Sequence, residues 1–217
     1  MGAGLQDGVY YALLGATDHG GVTVRVQSNN PAVALVAPNA STPGSTYIDI
    51  PVASGSTAVS YYIQGMEGAA GQNTTITVSA QGFGSNSHTV NVVQPAVQIA
   101  GLNTSTTSLS PNDEFYAYIG IPSSNNTVIY DYQEIRVGGN PVTVTFTNSN
   151  DVVGRLVTNS GAGQSATVTI GVGQSNSPTT VAAGGVAFDP MDGGSSTVTA
   201  SITGFISVNT VTVTVTQ

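Results

Sequence analysis

The chain has 217 residues, 40% of them hydrophobic and only 6% charged, with 3 Lys or Arg against 11 Asp or Glu and a formal charge of −8. So acidic a surface has no basic patch to neutralise phosphates, which excludes nucleic acid as a partner, and no apolar run reaches the roughly 18–20 residues a membrane-spanning helix needs. Cysteine is absent, so no disulfide contributes and the surface must be built from Ser, Thr, Asn, Gln and Gly.

In chain order, residues 1–4 carry neither the positive stretch nor the apolar segment of a secretion signal. Tyr11-Ala12-Leu13-Leu14-Gly15 is the first strand-like run. Apolar residues then alternate with polar ones at Val22, Val24 and Val26, at Ile48, Ile50 and Val52, and at Ile76, Val78 and Ala80. Period two is the mark of a strand with one buried face. Residues 89–93 add a further alternating run, and Val93-Gln94-Pro95-Ala96 reads as a short connection that Pro95 stiffens. After residues 96–110 the pattern returns at residues 116–120, at Val142, Val144 and Phe146, at Val168, Ile170 and Val172, and at Val211, Val213 and Val215. Gly and Pro punctuate the runs so often that no window is left for an amphipathic helix.

The second half repeats the first. Ile63-Gln64-Gly65-Met66-Glu67-Gly68 and the later Gln81-Gly82-Phe83 return as Ala187-Phe188-Asp189-Pro190-Met191-Asp192-Gly193 and Thr203-Gly204-Phe205. Residues 11–15 match 116–120, and 22–26 match 142–146. The offset changes only between strand-like runs, as expected when loops vary and strands do not. Two differences stand out. The second copy carries an inserted strand or hairpin near residues 125–137, and residues 96–110 have no counterpart before Leu5, so the first copy lacks an opening strand.

These features predict an all-β chain of two tandem immunoglobulin-like antiparallel β-sandwiches, residues 1–95 and 96–217. Each copy has an alternating strand, a Gly-Phe pair (Gly82-Phe83, Gly204-Phe205) and another alternating strand, and in this it resembles the bacterial immunoglobulin-like (Big-type) repeat domains of surface proteins. The Cys-Trp-Cys framework of antibody domains is missing. The glycines are expected to permit a tight turn where a Cβ would clash, and the phenylalanines to cover one end of each core.

Few residues invite chemistry. Asp189 and Asp192 flank Pro190-Met191 and are the candidate metal ligands, with calcium the one cofactor to expect; turn-capping is the plainer role for such acids. His19 and His88 have no partner at ligand spacing, and no nucleophile motif accompanies them, so no enzyme is expected. Tyrosines occur in pairs, and Tyr130 with Tyr132 on the insertion is the candidate binding pair, for glycans or for protein. Four Asn-x-Ser/Thr matches, beginning at Asn39, Asn73, Asn103 and Asn125, are unremarkable in so Asn- and Thr-rich a chain.

The expected role is a structural or adhesive module at the cell surface or outside the cell, a stalk repeat or a filament subunit. Its partners would be other copies of itself or neighbouring repeats. The missing opening strand sharpens this, because a sandwich short of one strand leaves an unpaired edge that another chain can fill. Residues 96–110 or an end of a neighbouring chain would serve. A carbohydrate-binding or adhesin tip module is the alternative.

Overall fold

The computed structural model describes residues 1–217, with the side chain of Val9 left aside. Two compact units result, Met1–Gln94 with Gln133–Gly139, and Pro95–Tyr132 with Asn140–Gln217. The first unit contains β1 (Leu5–Leu13), β2 (Val22–Ser28), β3 (Ala34–Ala37), β4 (Tyr47–Val52), β5 (Ala58–Gly65), β6 (Asn73–Ala80) and β7 (Asn86–Asn91). The second opens with β8 (Ala96–Ala100), β9 (Ser105–Thr107), β10 (Asp113–Pro122) and β11 (Ile129–Tyr132). β12 (Glu134–Ile135) belongs to the first unit again. The second resumes with β13 (Val142–Asn148), β14 (Gly154–Thr158), β15 (Gly161–Gly163), β16 (Ser165–Ile170), β17 (Val186–Pro190), β18 (Gly194–Ser201), β19 (Ile206–Ser207) and β20 (Thr210–Thr216). Among the described residues the one helical element is a single 3₁₀ turn, Val181–Ala183.

Each unit is a two-sheet sandwich of the immunoglobulin-like kind. The sheets of the first unit run β12-β1-β5-β3 and β4-β2-β6-β7, and those of the second run β15-β14-β17-β10-β8-β19, with β11 on β10, and β16-β13-β18-β20-β9. The duplication is visible in register: Val24 faces Ile50 and Ala80 as Val144 faces Val168, and Tyr10 faces Tyr61 as Phe115 faces Val186. Pairing is antiparallel except for β8 with β19 and β9 with β20.

Alternation places the cores where period two predicted. Val24, Val26, Ile63 and Ile76 are buried in the first unit, and Phe115, Phe146, Leu156, Ile170 and Phe188 in the second. Phe115 meets Phe146 edge to face at 5.1 Å, an arrangement that aligns ring edge with ring face. Phe83 and Phe205 are only half-buried. Gly82 and Gly204 have φ of 83° and 84°, and a Cβ at either would meet open space. The glycines are therefore required by left-handed backbone in a turn, closed by Phe83 N–H to Ala80 O and Phe205 N–H to Ile202 O, and not by a steric clash.

The inserted stretch is split, where the sequence pattern placed it wholly in the second repeat. β11 pairs with β10, whereas residues 133–139 complete the first unit. β12 pairs with the start of β1, Leu5 with Ile135 and Gln6 with Glu134. Around it lies a buried amide network: Gln6 Nε2 donates to Ala40 O at 2.9 Å and Glu134 Oε2 at 3.1 Å, while Gln6 Oε1 accepts from Val137 N and Gln64 Nε2, both at 3.0 Å. Gln133 Oε1 accepts from Gly2 N at 2.9 Å. Arg136 grips Glu67 with a two-pronged bridge, Nε to Oε1 at 3.0 Å and a terminal nitrogen to Oε2 at 2.7 Å. Buried amides so fully paired specify one register, because any slip strands a polar group.

Two outcomes are expected. Phe146→Ala should lower the stability of the second unit by about 3–5 kcal/mol, seen as a shift of its calorimetric transition. Arg136→Ala should cost the first unit about 1–2 kcal/mol, the lower part of the range for charged hydrogen bonds because Glu67 is half-exposed. In each case the other unit's transition should stay in place.

Candidate functional site

The second unit shows what its opening strand does. β8 runs antiparallel to β10, from Tyr116 facing Ala100 to Gly120 facing Ala96. Cross-strand partners share a face, so Val97 and Ile99 point into the core opposite Ile119 and Ala117, and all four are buried. The other edge of β8 pairs in parallel with β19, Ile206 to Ala96 and Ser207 to Val97. Asn209 then holds the backbone of Ile99 from the side: its Oδ1 accepts from Ile99 N at 2.8 Å and its Nδ2 donates to Ile99 O at 3.0 Å. β8 thereby closes the flank between the two sheets.

The first unit has the same frame with that flank open. Residues 1–3 take the place of β9: Gly2 bridges Val93 in parallel, Val93 N–H donates to Met1 O, and Ala3 N–H donates to Val93 O. Among the described residues no strand takes the place of β8 beside residues 11–15, since β12 reaches only Leu5 and Gln6. A groove of about 480 Å³ lies there instead. Its floor is apolar, with Ala12, Leu14, Val24, Val78 and Ala80, and its far wall is formed by Phe83, Gly84, Asn86, Ser87 and His88. Leu13 and Tyr11 on the open edge are 78% and 64% exposed, while their counterparts Tyr118 and Tyr116 are half-buried. The uncovered edge thus has a definite place in the first unit, and the adjoining last-strand edge is covered by residues 1–3.

No protein-family model and no curated protein sequence matches the chain. Among solved structures, the chains named BspA_C_WT and BspA_C_mut align with 89% and 90% of it, and with 84% of their own length, at 11% and 8% identity and TM-scores of 0.24 and 0.22. Likeness so loose carries no argument, and the chemistry has to be read from the site itself.

That chemistry is backbone pairing plus apolar burial, modified by one titratable side chain. His88 holds the position of Val211, as Ile76 facing His88 and Val198 facing Val211 show. Its ring stacks on Tyr10 at 5.7 Å, and Tyr10 stacks on the buried Tyr61 at 5.8 Å. The Nε2 of His88 is buried without a hydrogen-bond partner, and burial lowers the pKa of the ring below the usual 6.5. Burial also pushes the Tyr61 hydroxyl up to about 12, with a smaller contribution from Tyr10. His19 has a plainer place in its loop: Nδ1 accepts from Gly21 N at 3.2 Å, which leaves Nε2 to donate to Ser56 O at 2.9 Å.

The residues singled out from sequence lie elsewhere. Asp189 faces Arg155 across the β14–β17 ladder. Asp192 Oδ1 accepts from Gly193 N and from Gln217 Nε2, both at 2.7 Å, and these two bonds, Gln217 first, hold its carboxyl below the usual range. Among the described residues no three His, Cys, Asp or Glu side chains gather as a metal group would. Tyr132 packs on Tyr118 at 4.7 Å, and Tyr118 on Tyr116 at 6.4 Å. A β-bulge interrupts the β10–β11 register at Tyr130, and among the described residues no ring packs on Tyr130, which is 71% exposed. Burial, followed by the Tyr132 hydrogen bond, raises the Tyr118 hydroxyl well above the usual tyrosine range.

A pH dependence follows from His88. Its folded-state pKa is depressed, so the unfolded chain binds the proton more readily. The stability associated with the neutral ring is fully present above about pH 6.5 and is lost as the pH falls toward the folded-state value. The first unit should therefore melt at lower temperature at pH 5 than at pH 7.5, and His88→Val should flatten that part of the profile.

Proposed function

We propose that this chain is a structural module of a prokaryotic cell surface, a filament or array subunit that accepts a β-strand from a neighbouring copy in the groove of its first unit. The observation that carries this reading is internal: the second unit fills the equivalent flank with β8, and the first presents the corresponding edge over an apolar floor with no strand beside it among the described residues. Strand addition at such an edge gains a row of backbone hydrogen bonds and buries apolar side chains together. The cysteine-free, hydroxyl- and amide-rich composition suits a surface location, and the role is mechanical, with no catalytic group required. Residues 96–110, one of the two donors considered from sequence, are committed to the second unit through β8 and β9. The other donor considered, an end of a neighbouring chain, is the one this reading uses.

The adjoining, tilted rings of Tyr116, Tyr118 and Tyr132 favour a second reading, glycan binding on an aromatic surface. Retention on a glycan surface that is lost in Tyr132→Ala would support it.

Light scattering at rising concentration tests the first reading. Mass that grows reversibly with concentration is expected, and a chain that is folded and strictly monomeric throughout would overturn it.

A further inference from the structure

The duplicated fold also says what kind of strand the groove takes and which side chain grips it. Thr77 faces Ser87 where Thr199 faces Thr210, so one step earlier Asn86 stands where Asn209 stands in the second unit. The sequence agrees once Val208 is counted as a one-residue insertion: Phe83-Gly84-Ser85-Asn86 beside Phe205-Ile206-Ser207-Val208-Asn209. Asn86 lines the groove and is exposed. Its Oδ1 accepts only a local bond from Ser87 N, at 2.8 Å, a bond a solvated asparagine exchanges at little cost.

We propose that the groove binds an extended, uncharged segment of the β8 type, with aliphatic side chains at two alternate positions, and that Asn86 clamps the backbone of the second of these as Asn209 clamps Ile99. This rests on the strand-acceptor reading and deepens it. The two aliphatic residues face Leu14 and Ala12, in the places where Val97 and Ile99 face Ile119 and Ala117. The residue between them lies on the outer face, where Gln98 lies in β8, and is free to be polar. A charged residue at either inward position is disfavoured, because the floor there, Ala12, Leu14, Val24, Val78 and Ala80, is apolar and an unpaired buried charge is costly. Gly84 stands in the place of Ile206, so the rim beside the start of the strand is more open than in the second unit and admits a larger outward residue there.

The test uses the full chain and a synthetic peptide of residues 95–101, Pro-Ala-Val-Gln-Ile-Ala-Gly, beside the same peptide with both aliphatic residues replaced by Asp. Titration calorimetry should show binding of the first peptide only, and hydrogen exchange should slow at residues 11–15 and not at residues 116–120, whose tethered β8 outcompetes a free peptide. Asn86→Ala should weaken the peptide about tenfold, the worth of the two lost hydrogen bonds, while the melting temperature of the first unit stays unchanged. In parallel, Asn209→Ala should speed exchange at the amides of β8. Equal binding of both peptides, or an Asn86→Ala chain that binds as tightly as the parent, overturns the donor chemistry proposed here. So does a chain that self-associates yet ignores the β8-type peptide, an outcome that leaves the acceptor reading standing. A chain that binds no peptide and stays monomeric removes both.

Discussion

A strand in a sandwich carries two rows of amide and carbonyl groups, and each row must meet a partner or water. In the second unit both rows of β10 are met. One faces β17, the segment around Asn176 and β11 in turn, and the other faces β8. In the first unit β5 meets one row of β1, and on the other β12 covers Leu5 and Gln6 before the groove begins. The exposed Leu13 and Tyr11 and the open apolar floor follow from that half-covered row.

The two devices on β1 differ in kind. Residues 133–139 are held by specific polar chemistry, with the Gln6 and Gln64 amides satisfied from several directions and Arg136 bidentate on Glu67. Interactions of that sort demand one sequence and one register. The groove is lined mainly by small and aliphatic side chains beside an uncovered backbone edge, a surface that strand addition would recognise by alternation rather than by one sequence. Along β1, then, specific polar contacts hold the covered stretch, and among the described residues the groove stretch has only its apolar lining. Asn86 is the exception within the groove, a side chain able to satisfy one N–H and one C=O of an incoming strand.

Much of this was legible in the residues. Alternation at Val22, Val24 and Val26 and its echo at Val142, Val144 and Phe146 located strands whose registers match across the two units, because burial on one face of a pleated strand imposes period two on its sequence. The sequence also set residues 96–110 apart as having no counterpart before Leu5, yet residues 1–3 stand where β9 stands and only β8 is without one among the described residues. Other features left no such trace. The clasp of Gln133, Glu134 and Arg136 sits in a stretch that reads as one continuous alternating run, and nothing in that run marks the point where it changes partners. Asn86 and Asn209 are separated from the shared Gly-Phe turn by segments of unequal length, and they align only when strand register is known.

Composition and periodicity depend on what each residue does to its immediate neighbours, so the sequence alone was enough for an all-β duplicated chain and for the absence of a basic surface. Which edge is uncovered among the described residues, which stretch of the second repeat belongs to the first unit, and which asparagine stands beside the groove depend on pairing between residues far apart in the chain. Strand edges are chemically alike, every one a row of amides and carbonyls, and a sequence has no local mark that tells one edge's partner from another's.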